Sequence, residues 1–166
     1  MRKEFAKELY NQMKENNNIW LVCLDLGYGW FDDHFKDFPD RTLNPGAAEQ
    51  AGMDIACGLA IEGKIPFVYS ITTFLLYRPF ETLRTYINHE KIPVKLVGSG
   101  RDKDYVHDGY SHDATDAKKI LDTLPHIHQY WPRNEAGNID PLTLPIKPTV
   151  KEMVNCKSPD FISLRR

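Results

Sequence analysis

The sequence predicts an α/β domain with a mostly parallel sheet and helices on both faces, because helical and strand patterns alternate along the chain. Phe5, Leu9 and Met13 recur every four residues between positions 2 and 15, which places them on one face of an amphipathic helix. Residues 19–24 form a short apolar run of the kind found in strands that are buried on both faces. Such alternation is typical of parallel strands joined by crossover helices.

The alternation continues to the end of the chain. Helices are predicted at about 46–61, 74–88, 113–123 and 150–155, and strands at 65–69, 94–97, 127–131 and 160–164. Residues 132–148 hold four of the eleven prolines and show no periodicity, so we expect a loop that covers the sheet. In a sheet of this kind the ligand site lies at the carboxyl ends of the strands.

Composition limits the classes of function. A chain of 166 residues fits one domain with one core. The net formal charge of −2 provides no broad attraction for nucleic acid or anionic membranes. No signal-peptide pattern or membrane-length apolar run is present, so a cytoplasmic protein is expected. Cys23, Cys57 and Cys156 are widely spaced, which predicts reduced thiols and no disulfide framework, and no metal ligands are assigned.

The first candidate site residue is Glu49, in the predicted first turns of helix 46–61. An acidic residue there complements the helix dipole, which is the simpler interpretation. The neighbouring small residues allow another backbone or a flat ligand to come close; they are Gly46, Ala47, Ala48, Ala51 and Gly52. Both interpretations stay open on this pattern alone.

The second candidate is a set of three aromatic residues, Phe74, Tyr77 and Phe80, at three-residue spacing. On a helix they share a face and can form a wall for a planar ring, although aromatic stripes usually face a core. Pro79 fits best in a first turn, so Phe74 and Tyr77 can also lie on the approach to the helix.

The third candidate is the segment 105–113, which holds two imidazoles and two carboxylates: His107, Asp108, His112 and Asp113. This clustering suits proton transfer or recognition of substrate hydroxyl groups. A metal site and a solvated polar loop are the alternatives.

Together these segments resemble the pyrimidine-binding domain of the transketolase family of thiamine diphosphate enzymes. Residues 40–50 are similar to the family pattern of an Arg, an Asn, a Gly, two small residues and the Glu that activates the cofactor. Residues 58–70 continue the similarity, and Thr73-Phe74-Leu75 matches the start of the aromatic helix. The run from His107 to His112 resembles the family's acid-Asp-Gly-x-Thr-His, with His107 in the acidic position and Ser111 in place of Thr.

The similarity covers nearly the whole chain, so residues 1–166 are expected to form a single pyrimidine-binding domain with the thiamin diphosphate-binding fold. The resemblance implies that Glu49 bonds N1′ of the aminopyrimidine and that His112 is catalytic. It further implies that Phe74, Tyr77, Phe80 and Asp25 contact the cofactor.

Substrate contacts are expected from Asp108, Arg2, Arg101 and Arg166. Arg2 and Arg166 keep arginine positions of the family. The family's phosphate-binding His aligns with Gly100, and a Ser aligns with Gly29. Arg101 is therefore a candidate for a substitute charge, since guanidinium groups suit phosphate and carboxylate.

The family's Gly-Asp-Gly magnesium motif does not occur in the sequence, and no segment resembles its C-terminal domain. The resemblance thus implies a diphosphate-binding partner subunit that carries this motif and Mg²⁺, in a hetero-oligomer with self-association. The implied function is that of a transketolase-like transferase subunit for a ketose or sugar phosphate. A 2-oxo acid decarboxylase, a deoxyxylulose-phosphate-synthase-like subunit and a non-catalytic interaction module remain alternatives.

Overall fold

The computed structural model describes residues 1–132 and 145–166. Within these ranges, six strands form one sheet in the order β2-β1-β3-β4-β6-β5. Every neighbouring pair is parallel, which confirms the predicted α/β class. The strands are Ile19–Cys23 (β1), Thr42–Leu43 (β2), Ile65–Ile71 (β3), Lys95–Ser99 (β4), His128–Tyr130 (β5) and Asp160–Leu164 (β6).

The helices agree with prediction at the start of the chain and differ further along. They are Arg2–Glu15 (α1), Asp32–Asp37 (α2), Glu49–Ile61 (α3), Thr72–Tyr77 (α4), Phe80–Thr82 (α5), Ala117–Asp122 (α6) and Ile146–Asn155 (α7), with a π-helical segment at Leu83–His89. Short 3₁₀ turns lie at Pro39–Arg41, Val106–Asp108 and Tyr110–His112. Most of the predicted loop, residues 133–144, lies outside the described residues.

The single helix predicted at 74–88 is wrong. α4 begins at Thr72 and ends at Tyr77, and helical structure resumes at Phe80 after Pro79. Proline has no backbone N–H and clashes with the preceding turn, which accounts for the interruption. Phe74, Tyr77 and Phe80 are therefore divided between two helical segments.

The core has two halves, one on each face of the sheet. Val22, Val68, Leu96 and Phe161 pack on one face with residues of α3, the π-helical segment and α6. A residue adjacent to each of these in its strand faces the opposite side of the sheet and packs against α1 and α7. These adjacent residues are Leu21, Phe67, Val97 and Ile162. Alternation along each strand produces this division, and it confirms that helices cover both faces.

Because all strands run in the same direction, their carboxyl ends meet at one edge of the sheet. The predicted site residues follow these ends: Asp25 after β1, Glu49 after β2, Phe74 after β3, His112 after β4 and Arg166 after β6. Gly52 allows the first turn of α3 to approach β1 closely, since a Cβ at this position would lie 2.3 Å from Leu24 Cδ2. The absence of a side chain at Gly52 thus leaves room for Leu24 of the core.

Among the helices in the described parts of the chain, none has the length and apolar character of a membrane span. Cys23, Cys57 and Cys156 are free thiols. Burial raises the pKa of the Cys57 thiol to about 12, so its neutral form is strongly favoured at neutral pH.

Candidate functional site

Glu49 is the first residue of α3, and its side chain is only 5% exposed. Its Oε1 accepts a hydrogen bond from Arg78 Nη1 at 2.6 Å. Arg78 follows the last residue of α4 and its side chain is 46% exposed. The carboxylate is therefore fixed and buried, whereas its cationic partner reaches it from the solvent side.

The same guanidinium lies over the ring of Phe74, with its central carbon 3.8 Å from the ring centroid. A planar cation is thus held on one face by an aromatic ring and on one edge by a carboxylate. Both contacts are favourable, since guanidinium groups stack on aromatic rings and form strong charge-assisted hydrogen bonds. Glu49 and Phe74 together hold a flat group that carries N–H donors, the guanidinium of Arg78.

His112 joins this site from the loop after β4. Its ring meets the Phe74 ring edge-on, with centroids 4.9 Å apart. Two threonines at the start of α4 hold the neighbouring backbone: Thr72 Oγ1 donates to the Gly100 carbonyl at 2.6 Å, and Thr73 Oγ1 donates to the Ser111 carbonyl at 2.8 Å. These bonds fix the loop after β4 against α4 and so position His112.

Tyr77 and Phe80 have different neighbours. The Tyr77 hydroxyl is hydrogen-bonded to Asp116, which precedes α6. Burial and this carboxylate raise the pKa of Tyr77, and its side chain remains partly exposed. Phe80 is partly buried and packs against the core that includes Met53 and Leu83. Among the three predicted rings, Phe74 is the one that contacts both Arg78 and His112.

A second group of side chains gathers around Tyr105. Arg2 Nη1 donates to the Tyr105 hydroxyl at 2.8 Å, and Ser99 Oγ lies 3.1 Å from the same oxygen. The Arg166 guanidinium lies 5.5 Å from the Tyr105 ring centroid and its Nη1 is 3.2 Å from His107 Nε2. His107 Nε2 in turn lies 3.2 Å from Asp108 Oδ2. The structure thus brings together Arg2, Arg166 and Asp108.

Tyr105 also links this group to His112, with ring centroids 6.3 Å apart. Its ring packs on Gly100, where φ is +82° and an added Cβ would lie 2.3 Å from the ring. Tyr105 therefore occupies the space that any side chain at position 100 would need.

Arg101 is held by Ser163, and the backbone of Asp25 is held by Asn44. Arg101 donates from Nε to Ser163 Oγ at 3.0 Å and from Nη2 to the Ser163 carbonyl at 2.7 Å. Burial lowers the pKa of its guanidinium from the ordinary value. The Asp25 N–H donates to Asn44 Oδ1, which also accepts from Gly46 N–H at 3.0 Å. Asn44 thus ties the turn after β1 to the segment that leads to Glu49.

Three possible metal ligands meet elsewhere, at the start of β5 and β6. Side-chain atoms of His128, Cys156 and Asp160 lie within 4.8 Å of one another. The Ser158 hydroxyl is 2.8 Å from Cys156 Sγ and 3.1 Å from His128 Nδ1. Lys95 Nζ binds Asp160 Oδ2 at 2.5 Å inside the core. Because a protein cation already neutralises the buried carboxylate, we assign no metal to this group.

Comparison with known proteins identifies the family. The model of the transketolase pyrimidine-binding domain matches residues 1–142. This chain belongs to the transketolase pyrimidine-binding domain family. The predicted resemblance to this family is therefore confirmed.

Several relatives of this pyrimidine domain are sections or subunits of transketolases. A putative transketolase C-terminal section of Methanocaldococcus jannaschii is 32% identical over 128 residues, which are 76% of this chain and 40% of that protein. The 6-deoxy-6-sulfo-D-fructose transketolase subunit SqwH of Clostridium sp. (strain MSTE9) is 30% identical over 137 residues, or 82% of this chain and 42% of the subunit. The chain thus spans less than half the length of these relatives.

Solved structures have the same fold as this pyrimidine domain. One described as a split gene transketolase in an inactive beta4 tetramer superposes with a TM-score of 0.82 and 30% identity, over 99% of this chain and 51% of that chain. The transketolase of Campylobacter jejuni gives a TM-score of 0.81 at 18% identity, over 99% of this chain and 25% of its own. At that identity the second similarity concerns the fold alone.

Arg78 and Tyr105 are two residues of this site that the motifs did not reveal. Arg78 lies between two of the aromatic candidates, where the pattern drew attention to the rings alone. Tyr105 begins the candidate segment 105–113, but no role was assigned to its ring; an indirect signal for that ring is the glycine at position 100, where the family pattern has a histidine. The positive φ of Gly100 and its contact with the Tyr105 ring both favour glycine over histidine at this position.

Proposed function

We propose that this chain is the pyrimidine-binding subunit of a split transketolase-like enzyme, a thiamine diphosphate-dependent transferase that acts on a ketose or sugar phosphate. The observation that carries the proposal is the arrangement of Glu49 and Phe74. A buried carboxylate and an aromatic face converge on one planar, nitrogen-bearing group, now the guanidinium of Arg78. An aminopyrimidine offers the same flat shape and a nitrogen edge.

The residues present fit the cofactor's pyrimidine. Thiamine diphosphate would supply the carbanion-stabilising chemistry of the reaction. In this proposal Glu49 holds a proton at the pyrimidine ring nitrogen, where a carboxyl group with 5% exposure is shielded from water. Phe74 supports the ring, and Tyr77, Phe80 and Asp25 complete the cofactor contacts.

The substrate side of the proposed site begins at His112, which is in ring contact with Phe74. An imidazole there can exchange protons with a substrate hydroxyl near neutral pH. Asp108, Arg2 and Arg166 would bind hydroxyl groups and an anionic end, since they gather around Tyr105 and His107. Arg101 would contribute its charge while Ser163 fixes its position.

We further propose that residues 1–166 act as one pyrimidine-binding domain and that a separate partner holds the diphosphate and Mg²⁺ through a Gly-Asp-Gly motif. Two observations support a partner. Relatives of this chain are described as a transketolase subunit and as a split gene transketolase. Large apolar side chains are exposed on the loops after β1 and β4 and on α3, including Tyr28 at 77%, Tyr110 at 90% and Ile61 at 69%. A hetero-oligomer with self-association would cover such surfaces.

Calorimetry on the chain alone and on its complex with a candidate partner tests this function. The isolated chain should bind thiamine diphosphate weakly, because the diphosphate and Mg²⁺ ligands would be on the partner. The complex should bind it tightly and transfer a two-carbon unit from a ketose donor. Tight, magnesium-dependent binding by the chain alone, or a complex without any turnover, would contradict the proposal.

A further inference from the structure

We propose that Arg78 is an internal occupant of the pyrimidine site, which holds Glu49 when no cofactor is present and must leave before the cofactor can bind. This inference rests on the function proposed above. It concerns a residue of the site itself, and its consequence is that cofactor association is limited by the departure of a side chain.

Competition follows from the geometry. The guanidinium uses the two features that a stacked aminopyrimidine would need: the carboxyl oxygen Oε1 of Glu49, at 2.6 Å, and the face of Phe74, at 3.8 Å from the guanidinium carbon. At 3.8 Å the guanidinium is in direct contact with the Phe74 ring and leaves no space between them. The same ring face therefore cannot accept a second flat group at that place. Arg78 and the pyrimidine therefore exclude each other.

The exposures of the two partners indicate which one moves. Glu49 is fixed on α3 with 5% of its side chain exposed, whereas Arg78 is 46% exposed. Arg78 also lies where α4 ends and Pro79 interrupts the helical path. Its side chain can turn into the solvent without opening the core, whereas Glu49 cannot.

The ion pair of Arg78 with Glu49 has a physical role before the cofactor binds. A buried carboxylate without a partner is costly, because its lost hydration is not replaced. Arg78 supplies the missing charge and hydrogen bond until the pyrimidine takes over. The apparent affinity for the cofactor is then lower than the intrinsic affinity by the fraction of chains in which Arg78 has moved away.

Arg78→Ala should therefore accelerate cofactor association. An ion pair with one half-exposed partner is only modestly stable, so Arg78 occupies the site in most but not all chains. We therefore expect the association rate constant for thiamine diphosphate to rise by roughly 3- to 10-fold. The dissociation rate constant should stay unchanged. A residue that binds the cofactor directly would give the opposite pattern, with faster dissociation and unchanged association.

Stopped-flow binding of thiamine diphosphate to the complex with the diphosphate-binding partner measures both constants. Arg78→Lys keeps the charge without the planar group, and should give an intermediate rate. Arg84→Ala is the matched control, because Arg84 is an exposed arginine in the adjacent π-helical segment. It should leave both constants unchanged.

Two results overturn the inference in distinguishable ways. Equal association rates in the wild type and Arg78→Ala, with cofactor bound normally by both, would reject the competition and leave the proposed function intact. Absence of cofactor binding to the complex in every variant would reject the proposed function and the inference together. A thermal-unfolding cycle on the chain alone, with Arg78→Ala, Glu49→Gln and the double variant, adds a test without cofactor: additive melting-temperature shifts would reject the coupling.

Discussion

The imidazole of His112 lies edge-on to the ring of Phe74, with their centroids 4.9 Å apart. This contact joins the helix after β3 to the loop after β4, so the proposed cofactor side and the proposed substrate side of the site share one wall. Glu49 approaches the same wall from α3 through Arg78. Residues from α3, from α4 and from the loop after β4 therefore depend on each other for their positions.

Tyr77 is expected to affect the cofactor more than the fold. Tyr77→Ala should raise the dissociation constant of thiamine diphosphate in the complex by about tenfold, because an aromatic contact is worth ≈ 0.5–1.5 kcal/mol beyond burial. Tyr77→Phe is the control, since it keeps the ring and removes the bond to Asp116. Calorimetry gives the affinity, and a large fall in melting temperature with unchanged affinity would place Tyr77 among the core residues instead.

Gly100 is expected to be intolerant of any side chain. Gly100→Ala should lower the free energy of unfolding by more than the ~1–3 kcal/mol typical of a strained positive φ, because its Cβ would also overlap the Tyr105 ring. Gly63 has a similar φ of +76° with open space around it, so Gly63→Ala isolates the conformational part. Urea denaturation compares them, and equal losses in both variants would show that the Tyr105 ring yields easily.

His34 is expected to make stability depend on pH. Burial lowers the pKa of its imidazole to about 4, whereas the unfolded value is about 6.5. Between pH 4 and 6.5 the imidazole is protonated in the unfolded chain and neutral in the folded chain. The contribution of His34 to the free energy of unfolding is therefore fully present above pH 6.5 and is lost as the pH falls towards 4. The loss should be on the order of 3 kcal/mol.

Denaturation curves from pH 4 to 7.5 measure this dependence. His34→Leu should remove the pH dependence of stability that His34 causes. His126→Leu, at an exposed position, should retain it. An unchanged pH dependence in His34→Leu would mean that folding does not lower the pKa of His34.

Sequence patterns predicted the parts of the fold that long or apolar segments determine. α1 has the predicted bounds, and the apolar runs of β1, β3, β4 and β6 were recognised to within two residues. β2 has two residues and α2 has six, so neither repeats its pattern often enough to be recognised. The break before Phe80 had a visible cause in Pro79, although the continuation as a π-helical segment had none.

Members of the candidate site could be predicted where a motif contains the residue type that the chemistry needs. Contacts between distant segments could not be predicted in this way. Glu49, Phe74 and His112 follow from motifs, and the structure places them around one wall. Arg78 looked like an ordinary charged residue between aromatics, and only the approach of α4 to α3 reveals its bond to Glu49. Arg101 was expected to supply a substitute charge, whereas its bonds to Ser163 could not be predicted, because they depend on the pairing of β4 with β6.

The central claim, that Glu49 activates a bound thiamine diphosphate, is tested most directly by C2 proton exchange of the cofactor in the reconstituted complex. Glu49→Gln removes the carboxyl proton and keeps the shape, so exchange should slow by a factor on the order of 10²–10⁴ while assembly is retained. Glu62→Gln, at the exposed end of the same helix, should exchange like the wild type. Wild-type exchange in Glu49→Gln would contradict the account.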